Sequence, residues 1–99
     1  MNRKRYFVYI LTNKPFGTLY TGVTGQISNR IYNHKLGVGR VFTRKYKVDK
    51  LVYYEVFDNP RAAIQREKTI KSWSRAWKLN VIGRINPEWR DLYETDRLY

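Results

Sequence analysis

Two short apolar segments near the start of the chain are joined by a loop containing proline and glycine, and this arrangement constrains the fold more than any other feature. Tyr6 to Thr12 reads YFVYILT, and Leu19 to Thr24 reads LYTGVT. Both segments are rich in β-branched and aromatic residues, which is typical of strands. The intervening NKPFGT favours a turn. The sequence therefore predicts a β-hairpin, and with it a fold built on an antiparallel sheet.

The rest of the chain combines helical signals with one more strand. The clearest helix start is Asp58-Asn59-Pro60, where a capping side chain precedes a proline at the first helical position. The elements predicted after the hairpin are a helix over Gln26 to Leu36 ended by Gly37, a basic loop over Gly37 to Lys50, a strand over Leu51 to Phe57, a helix from Pro60 to about Lys71, a helix over Arg75 to Ile82 ended by Gly83, and a last helical turn opened by Asn86-Pro87. This order, ββαβαα, predicts one α+β domain in which a small three-stranded antiparallel sheet is flanked by helices.

The charge of the chain is strongly positive and unevenly distributed. The formal net charge is +12, and residues 1–48 contain ten lysines or arginines and no aspartate or glutamate. Such a one-sign field favours a polyanionic partner, nucleic acid above all, although a basic surface kept for solubility is the alternative. An anionic membrane fits less well, because no segment pairs a basic face with a broad apolar one.

Two absences restrict the chemistry and the compartment. The chain has no cysteine, which excludes disulfides, zinc-thiolate sites and thiol nucleophiles. No signal-peptide pattern opens the sequence, so we expect a cytoplasmic protein.

Polar residues occupy core positions on two predicted helices. At helical spacing, His34 falls within the apolar stripe formed by Ile27 and Ile31, with Arg30 at its edge. Glu67 falls among the apolar positions of the helix that begins at Pro60. Burying such groups is costly unless each is paired or binds a ligand, so the pattern indicates a shared polar cleft.

Simpler readings of the same residues remain open. His34 could be a hydrogen-bonded core residue, and Glu67 could pair with Lys71 at i+4 on a solvated face. Arg30 and Glu67 could also form a structural ion pair.

Two tyrosines and a glycine stand on the predicted hairpin. Period-2 alternation places Tyr9 on the same sheet face as Phe7 and Leu11. Gly22, two residues after Tyr20, lacks a side chain and so allows another group to approach the strand closely. On spacing alone, packing in the core is the simpler reading for either tyrosine.

Taken together, these residues resemble the GIY-YIG nuclease superfamily, in particular its small stand-alone bacterial members, which are described as predicted endonucleases. The matching positions, in order and spacing, are Val8-Tyr9-Ile10, Tyr20-Thr21-Gly22, Arg30, His34 and Glu67. The sequence departs from the family pattern in reading Phe7-Val8-Tyr9 for Gly-Ile-Tyr, Thr21 for isoleucine, and a bulky Arg40-Val41 where a glycine-containing turn is expected.

The resemblance implies both an activity and a site. Members of the family hydrolyse phosphodiester bonds of nucleic acid with one divalent metal, Mg²⁺ or Mn²⁺. By position, the resemblance makes Tyr9, Tyr20, Arg30 and His34 catalytic and Glu67 the metal ligand. It also implies a catalytic core over about residues 5–83, with 84–99 as a C-terminal helical extension.

Basic residues interleaved with aromatic ones are the candidates for binding the nucleic acid. Such a mixture suits backbone contacts combined with base stacking. The candidates are Arg40, Arg44, Lys45, Lys47, Lys71, Trp73 and Arg75. The alternatives are packing in the core for Trp73 and Tyr46 and a solvated surface for the charged residues. We assign Trp89 to packing of the C-terminal turn.

These observations predict a metal-dependent endonuclease acting on DNA. The alternative is a module that binds DNA or RNA and carries a weak or vestigial nuclease site. A structural protein–protein module is a third reading, and the charge of the chain argues against it.

The acid-free first half of the chain leads to a binding prediction. The affinity for DNA should fall steeply with salt, because the charges of Arg40, Arg44, Lys45 and Lys47 displace condensed counterions. A plot of log affinity against log salt should have a slope of about −0.9 for each phosphate neutralised. A flat plot would contradict binding dominated by the phosphate backbone.

Overall fold

The predicted hairpin forms the first two strands of the fold. The computed structural model describes residues 4–38, 41–96 and 98. Strand β1 (Tyr6–Thr12) pairs antiparallel with β2 (Leu19–Thr24), from Phe7 opposite Thr24 to Thr12 opposite Leu19. In the connecting loop the Asn13 side chain accepts a hydrogen bond from the Thr18 amide at 3.0 Å, so an Asn side chain closes the turn.

A third strand completes the sheet. Strand β3 (Lys50–Phe57) pairs antiparallel with the other side of β1, which gives the spatial order β2-β1-β3. The helices are α1 (Ile27–Lys35), α2 (Val41–Tyr46), α3 (Pro60–Lys71), α4 (Arg75–Ile85) and α5 (Leu92–Thr95). The predicted α+β class with a three-stranded antiparallel sheet is confirmed. Within the described residues, no helix combines the length and the apolar character needed to cross a membrane.

The central strand β1 separates two small cores. Phe7, Tyr9 and Leu11 point to one face of the sheet, where they pack with Ile27 and Ile31 of α1. The alternate residues, Val8 and Ile10, point to the other face and pack with Ala63 and Ile70 of α3 and Ile82 of α4. Helices α1 and α3 therefore cover opposite faces of one narrow sheet.

Local signals correctly predicted α1 and α3. The Asn59 side chain accepts hydrogen bonds from the amides of Arg61 and Ala62 at 2.7 and 3.3 Å, with Pro60 opening the helix. Gly37, just after α1, has a φ of 78°, a conformation that glycine adopts at little cost.

Two predictions about the connecting segments are wrong. The expected loop over residues 37–50 contains the short helix α2, whose Thr43 contacts His34 of α1 at 3.0 Å. Gly83 does not end α4, which continues to Ile85. A Cβ atom at position 83 would meet no described neighbour within 4 Å, so the fold leaves this part of the helix uncrowded.

Asn86 also has a different role from the predicted one. Its side-chain amide donates to the carbonyl oxygens of Val52 at 3.2 Å and Arg90 at 2.8 Å, and its oxygen accepts from the Arg90 amide at 3.0 Å. Asn86 thus holds the C-terminal segment to β3, and the last helix begins five residues later than expected, after its N-cap Asp91. Trp89 is buried in the core with Val52, which confirms its packing role.

A polar network joins β3 to α3 on the face away from α1. The Arg66 guanidinium donates two hydrogen bonds to the Glu55 carboxylate, at 2.8 and 3.0 Å, and the Tyr53 hydroxyl donates a third. The same guanidinium lies 5.0 Å from the centre of the Trp73 ring. Burial opposes ionisation of Glu55, but the hydrogen bonds from Arg66 and Tyr53 outweigh it and lower the pKa of this carboxyl. Burial, followed by the hydrogen bond to Glu55, raises the pKa of Tyr53 to about 12.

We expect this network to contribute measurably to stability. Glu55→Ala should lower the free energy of unfolding by about 1 to 2 kcal/mol, because it removes charge-assisted hydrogen bonds from a partly exposed arginine. The matched control is Glu88→Ala, which breaks the exposed pair with Arg90 and should cost less than about 0.5 kcal/mol. Because the pKa of Glu55 is lower in the folded protein, its contribution should persist at all pH values above 4.5 and be lost as the pH falls further. Urea titrations over pH would show this, and equal losses for the two variants at neutral pH would contradict it.

Candidate active site

The packing leaves no spare room where the Tyr9 ring crosses the neighbouring strand. Tyr9 and Gly22 are paired across β1 and β2, and the Tyr9 ring is fully buried. A Cβ atom at Gly22 would stand 2.5 Å from both Cζ and Oη of Tyr9. Only glycine leaves room for the phenol there, so the close approach predicted at Gly22 is confirmed and its partner is Tyr9.

A cleft of about 400 Å³ opens where the phenol passes Gly22. Helices α1 and α3 cover opposite faces of the sheet, yet both reach this cleft, because β2 is an edge strand and leaves the space beside it open. The lining residues include Tyr9, Tyr20, Gly22, Arg30, Glu67 and Lys71. The cleft therefore brings together four of the five side chains predicted to be catalytic or metal-binding.

Arg30 lines the cleft from α1 and is partly buried. In the part of the chain that the structure describes, its guanidinium has no hydrogen-bond acceptor and no carboxylate within ion-pair distance. The structural ion pair with Glu67 that the sequence left open is thus not formed. A partly buried arginine of this kind can receive an anion from outside the chain.

Glu67 faces Arg30 from α3. Its side chain is 12% exposed, and Oε2 lies 2.6 Å from Nζ of Lys71, one helical turn later. The i+4 pair that the sequence left open does form, but Glu67 lies inside the cleft and not on a solvated face. No donor among the described residues reaches the other carboxylate oxygen, Oε1.

The donor set fits a metal held mainly by water and substrate. Within the described residues, no three histidine, aspartate or glutamate side chains are grouped as metal ligands. One carboxylate oxygen, supplemented by waters and phosphate oxygens, is a common arrangement for magnesium. Glu67 Oε1 can provide that single ligand.

His34 lies one layer behind the cleft. It is 6% exposed, its Nδ1 atom is 3.0 Å from Oγ1 of Thr43, and its ring centre is 6.0 Å from that of Tyr20. His34 is thus a buried, hydrogen-bonded residue beside Tyr20 and is not among the residues that line the cleft. Sequence reasoning did not identify Thr43, because only the tertiary contact between α2 and α1 reveals it.

The candidate nucleic-acid-binding residues fall into two groups. Arg44, Lys45 and Lys47 are exposed on α2 and just after it, whereas Arg40 lies outside the described residues. Lys71 lines the cleft, and Arg75 is exposed and donates to the Phe16 carbonyl oxygen at 2.6 Å.

Trp73 is held in place by other side chains. It is partly buried against the core, stacks on Arg66, and meets Trp77 edge-on with ring centres 6.1 Å apart. These contacts favour the packing role that the sequence left open for Trp73.

Comparisons with known proteins agree with this geometry. The chain is 40% identical over 79 residues to a UPF0213 protein of Staphylococcus saprophyticus, which covers 80% of this chain and 95% of the relative. It is 45% identical over 77 residues to a UPF0213 protein of Clostridium perfringens, covering 78% and 82% of the two chains. A UPF0213 protein of Natronomonas pharaonis is 42% identical over 78 residues, covering 79% and 91%.

A solved structure shows the same fold. The solution NMR structure of a UPF0213 protein from Bacillus halodurans superposes with a TM-score of 0.55 at 26% identity, covering 95% of this chain and 99% of the other. The family model described as the GIY-YIG catalytic domain matches residues 5–80, a range that contains every residue of the cleft. The cleft contains Tyr9, Tyr20, Arg30 and Glu67. Because the family model matches most of the sequence, the chain belongs to the GIY-YIG catalytic domain family, a family of nucleases.

Proposed function

We propose that this protein is a divalent-metal-dependent endonuclease that hydrolyses phosphodiester bonds in DNA. The observation that carries the proposal is the single cleft in which Arg30, without an acceptor among the described residues, faces the Glu67 carboxylate beside Tyr9 and Tyr20. Phosphodiester hydrolysis needs charge neutralisation on the phosphoryl oxygens, a positioned water and help for the leaving oxygen. Each of these requirements has a candidate group in the cleft.

Arg30 would bind the phosphate. Its planar guanidinium can donate two parallel hydrogen bonds to phosphoryl oxygens, and its charge opposes the negative charge that develops during hydrolysis. Lys71 adds a second positive charge to the same cleft. The exposed cations Arg44, Lys45 and Lys47 are proposed to bind the phosphate backbone farther from the cut.

Glu67 would hold Mg²⁺ or Mn²⁺ through Oε1. When bound, such an ion polarises phosphoryl oxygens and makes a coordinated water more acidic. The carboxylate is well placed for this role, since it is mostly buried and faces the phosphate site formed by Arg30.

Tyr9 would accept the proton of the attacking water or relay it onward. Its ring is fixed by the close packing on Gly22, so its hydroxyl has little freedom to move. To accept a proton Tyr9 would need its phenolate form, which burial of the ring opposes and the positive charges of Arg30 and Lys71 in the same cleft favour. Tyr20 would orient the water or the phosphate, and His34 would position Tyr20 through its contact with that ring.

One observation favours a second candidate function, a nucleic-acid-binding module with a weak or vestigial site. Lys71 already pairs with Glu67 at 2.6 Å and neutralises part of the charge that a metal ion would use. A protein with this function would bind DNA or RNA without turning it over.

The Glu67→Gln variant separates the two functions. It keeps the size of the side chain and its hydrogen-bonding capacity but removes the charge that holds a divalent ion. We expect this variant to lose all metal-dependent nicking of plasmid and branched DNA. Its affinity for DNA, measured in the presence of a chelator, should stay within about twofold of the wild type, because binding without metal depends on the phosphate contacts. Glu94→Gln, on the exposed surface of α5, is the matched control and should nick normally.

The nuclease proposal fails if the wild type nicks no duplex, branched or single-stranded DNA with any divalent metal. If Glu67→Gln and Glu94→Gln then bind DNA as tightly as the wild type, the binding-module function replaces it.

The packing of Tyr9 on Gly22 gives a second prediction. Gly22→Ala forces the Tyr9 phenol away from the cleft, because the added methyl group would stand 2.5 Å from it. We expect nicking to fall roughly 100-fold, as misplacement of a reacting group by about 1 Å commonly costs that much. Unfolding should also become easier by about 1 to 3 kcal/mol, the usual cost of overpacking.

Gly83→Ala is the matched control. Its added methyl group meets no described atom within 4 Å on α4, so it should leave nicking unchanged and stabilise the helix by about 0.5 to 1 kcal/mol. Full activity in folded Gly22→Ala protein would show that the position of Tyr9 does not matter for cleavage.

A further inference from the structure

A second cavity adjoins the cleft on the other side of Arg30. Its volume is about 450 Å³, and it lies between the start of β1, the turn from β2 to α1, and the outer face of α1. Arg30 lines both cavities, so the two meet at this residue. A phosphate held by Arg30 would therefore place one of its two neighbouring nucleotides at the entrance to the second cavity.

The lining of this cavity combines three kinds of group. Tyr6 offers an aromatic ring, Asn29 and Asn33 offer side-chain amides, and Lys4 offers a positive charge. The Lys4 side chain passes over Gly25, with Cε 3.7 Å from the position that a Cβ would take there. None of the described residues that line the cavity is acidic.

The two amides retain hydrogen-bonding capacity for a ligand. Asn29 donates one bond to the side chain of Gln26 at 3.2 Å, which leaves its carbonyl oxygen and a second N–H. Asn33 is exposed, and its side chain makes no hydrogen bond within the described residues. An amide with both a donor and an acceptor matches the edge of a nucleic-acid base, whereas a phosphate offers only acceptors.

The mixture of groups distinguishes this cavity from an ordinary solvated helix face. An aromatic ring can stack on the flat surface of a base, amides can read its edge, and flanking cations can hold the adjacent phosphates. A base that is stacked and paired within a duplex cannot enter a concave pocket without leaving the stack.

We infer that this second cavity binds an unpaired base, which belongs to the nucleotide next to the phosphate held in the cleft. The protein therefore acts on strands that are unpaired at the cut. Tyr6 stacks on the base, Asn29 and Asn33 bind its edge, and Lys4 contacts the flanking phosphate. This inference rests on the proposed function, because the cleft fixes which phosphate the base adjoins.

The test measures binding, so that it does not depend on cleavage. Fluorescence anisotropy in the presence of a chelator would compare a short labelled single strand of DNA with an abasic strand of the same length and charge. The Asn29→Ala, Asn33→Ala double variant should bind the base-carrying strand about 10-fold more weakly, because two hydrogen bonds to the base are lost. Its affinity for the abasic strand should change by less than about twofold. The matched control is Asn80→Ala, the same change at an exposed position of α4, which should alter neither affinity.

Each outcome bears on a separate claim. Equal losses on the two strands, or no loss on either, would overturn the base-binding cavity and leave the nuclease untouched. A wild type that binds both strands and never cuts would remove the nuclease but not the cavity. A wild type that binds neither strand would also overturn the base-binding cavity, and the nuclease would then be decided by nicking of duplex and branched DNA.

A cleavage assay provides the second readout where the wild type nicks DNA. We expect the wild type to cut a duplex with one unpaired nucleotide at least 10-fold more efficiently than the fully paired duplex. The double variant should lose most of that preference through a higher KM, since each side-chain hydrogen bond to the base contributes about 3- to 10-fold. Equal cleavage of the two substrates by the wild type would contradict the inference.

Discussion

The close packing of the Tyr9 ring on Gly22 is the constraint on which the site depends. It requires that β1 and β2 pair in one register, because a shift by one residue would place Thr21 or Val23, which carry side chains, beneath the phenol. It also fixes where the buried phenol ends, against Gly22 of the edge strand and beside the cleft. Every other group in the cleft is arranged around this point, so the hairpin is both the first element of the fold and the reference for its chemistry.

The narrowness of the sheet explains how two helices on opposite faces can share a cleft. With β2 at the edge of three strands, the side chains of Arg30 from α1 and Glu67 from α3 need only extend past one strand to face each other. Separate elements thus supply the opposite charges, and the sheet keeps them from collapsing into an ion pair. Such a separation is what a site needs if a phosphate is to enter between them.

The sequence predicted those parts of the molecule that depend on local signals. Strand alternation, the Asn59 cap, the turn at Gly37, and the positions of His34 within an apolar stripe, Arg30 at its edge and Glu67 among apolar residues all follow from spacing along the chain. The errors arise where tertiary contacts add to or override local signals: Thr43 of α2 contacts His34 of α1, and the Asn86 side chain binds β3 instead of opening a helix after it. The second cavity could not be predicted either, since it is formed by residues from three separate elements.

The C-terminal segment has a consequence for how the molecule meets other copies of itself. The outer edge of β3 would otherwise offer backbone groups to any passing strand, the common starting point of sheet-to-sheet aggregation. Asp91 accepts a hydrogen bond from the Leu51 amide at 3.2 Å and Asn86 donates one to the Val52 carbonyl at 3.2 Å, so side chains of the C-terminal segment satisfy two backbone groups of this edge strand. Asp91 also binds Lys35 at the end of α1, at 2.5 Å. The segment therefore leaves fewer backbone groups of β3 for another chain to bind, while the opposite edge strand, β2, borders the cleft.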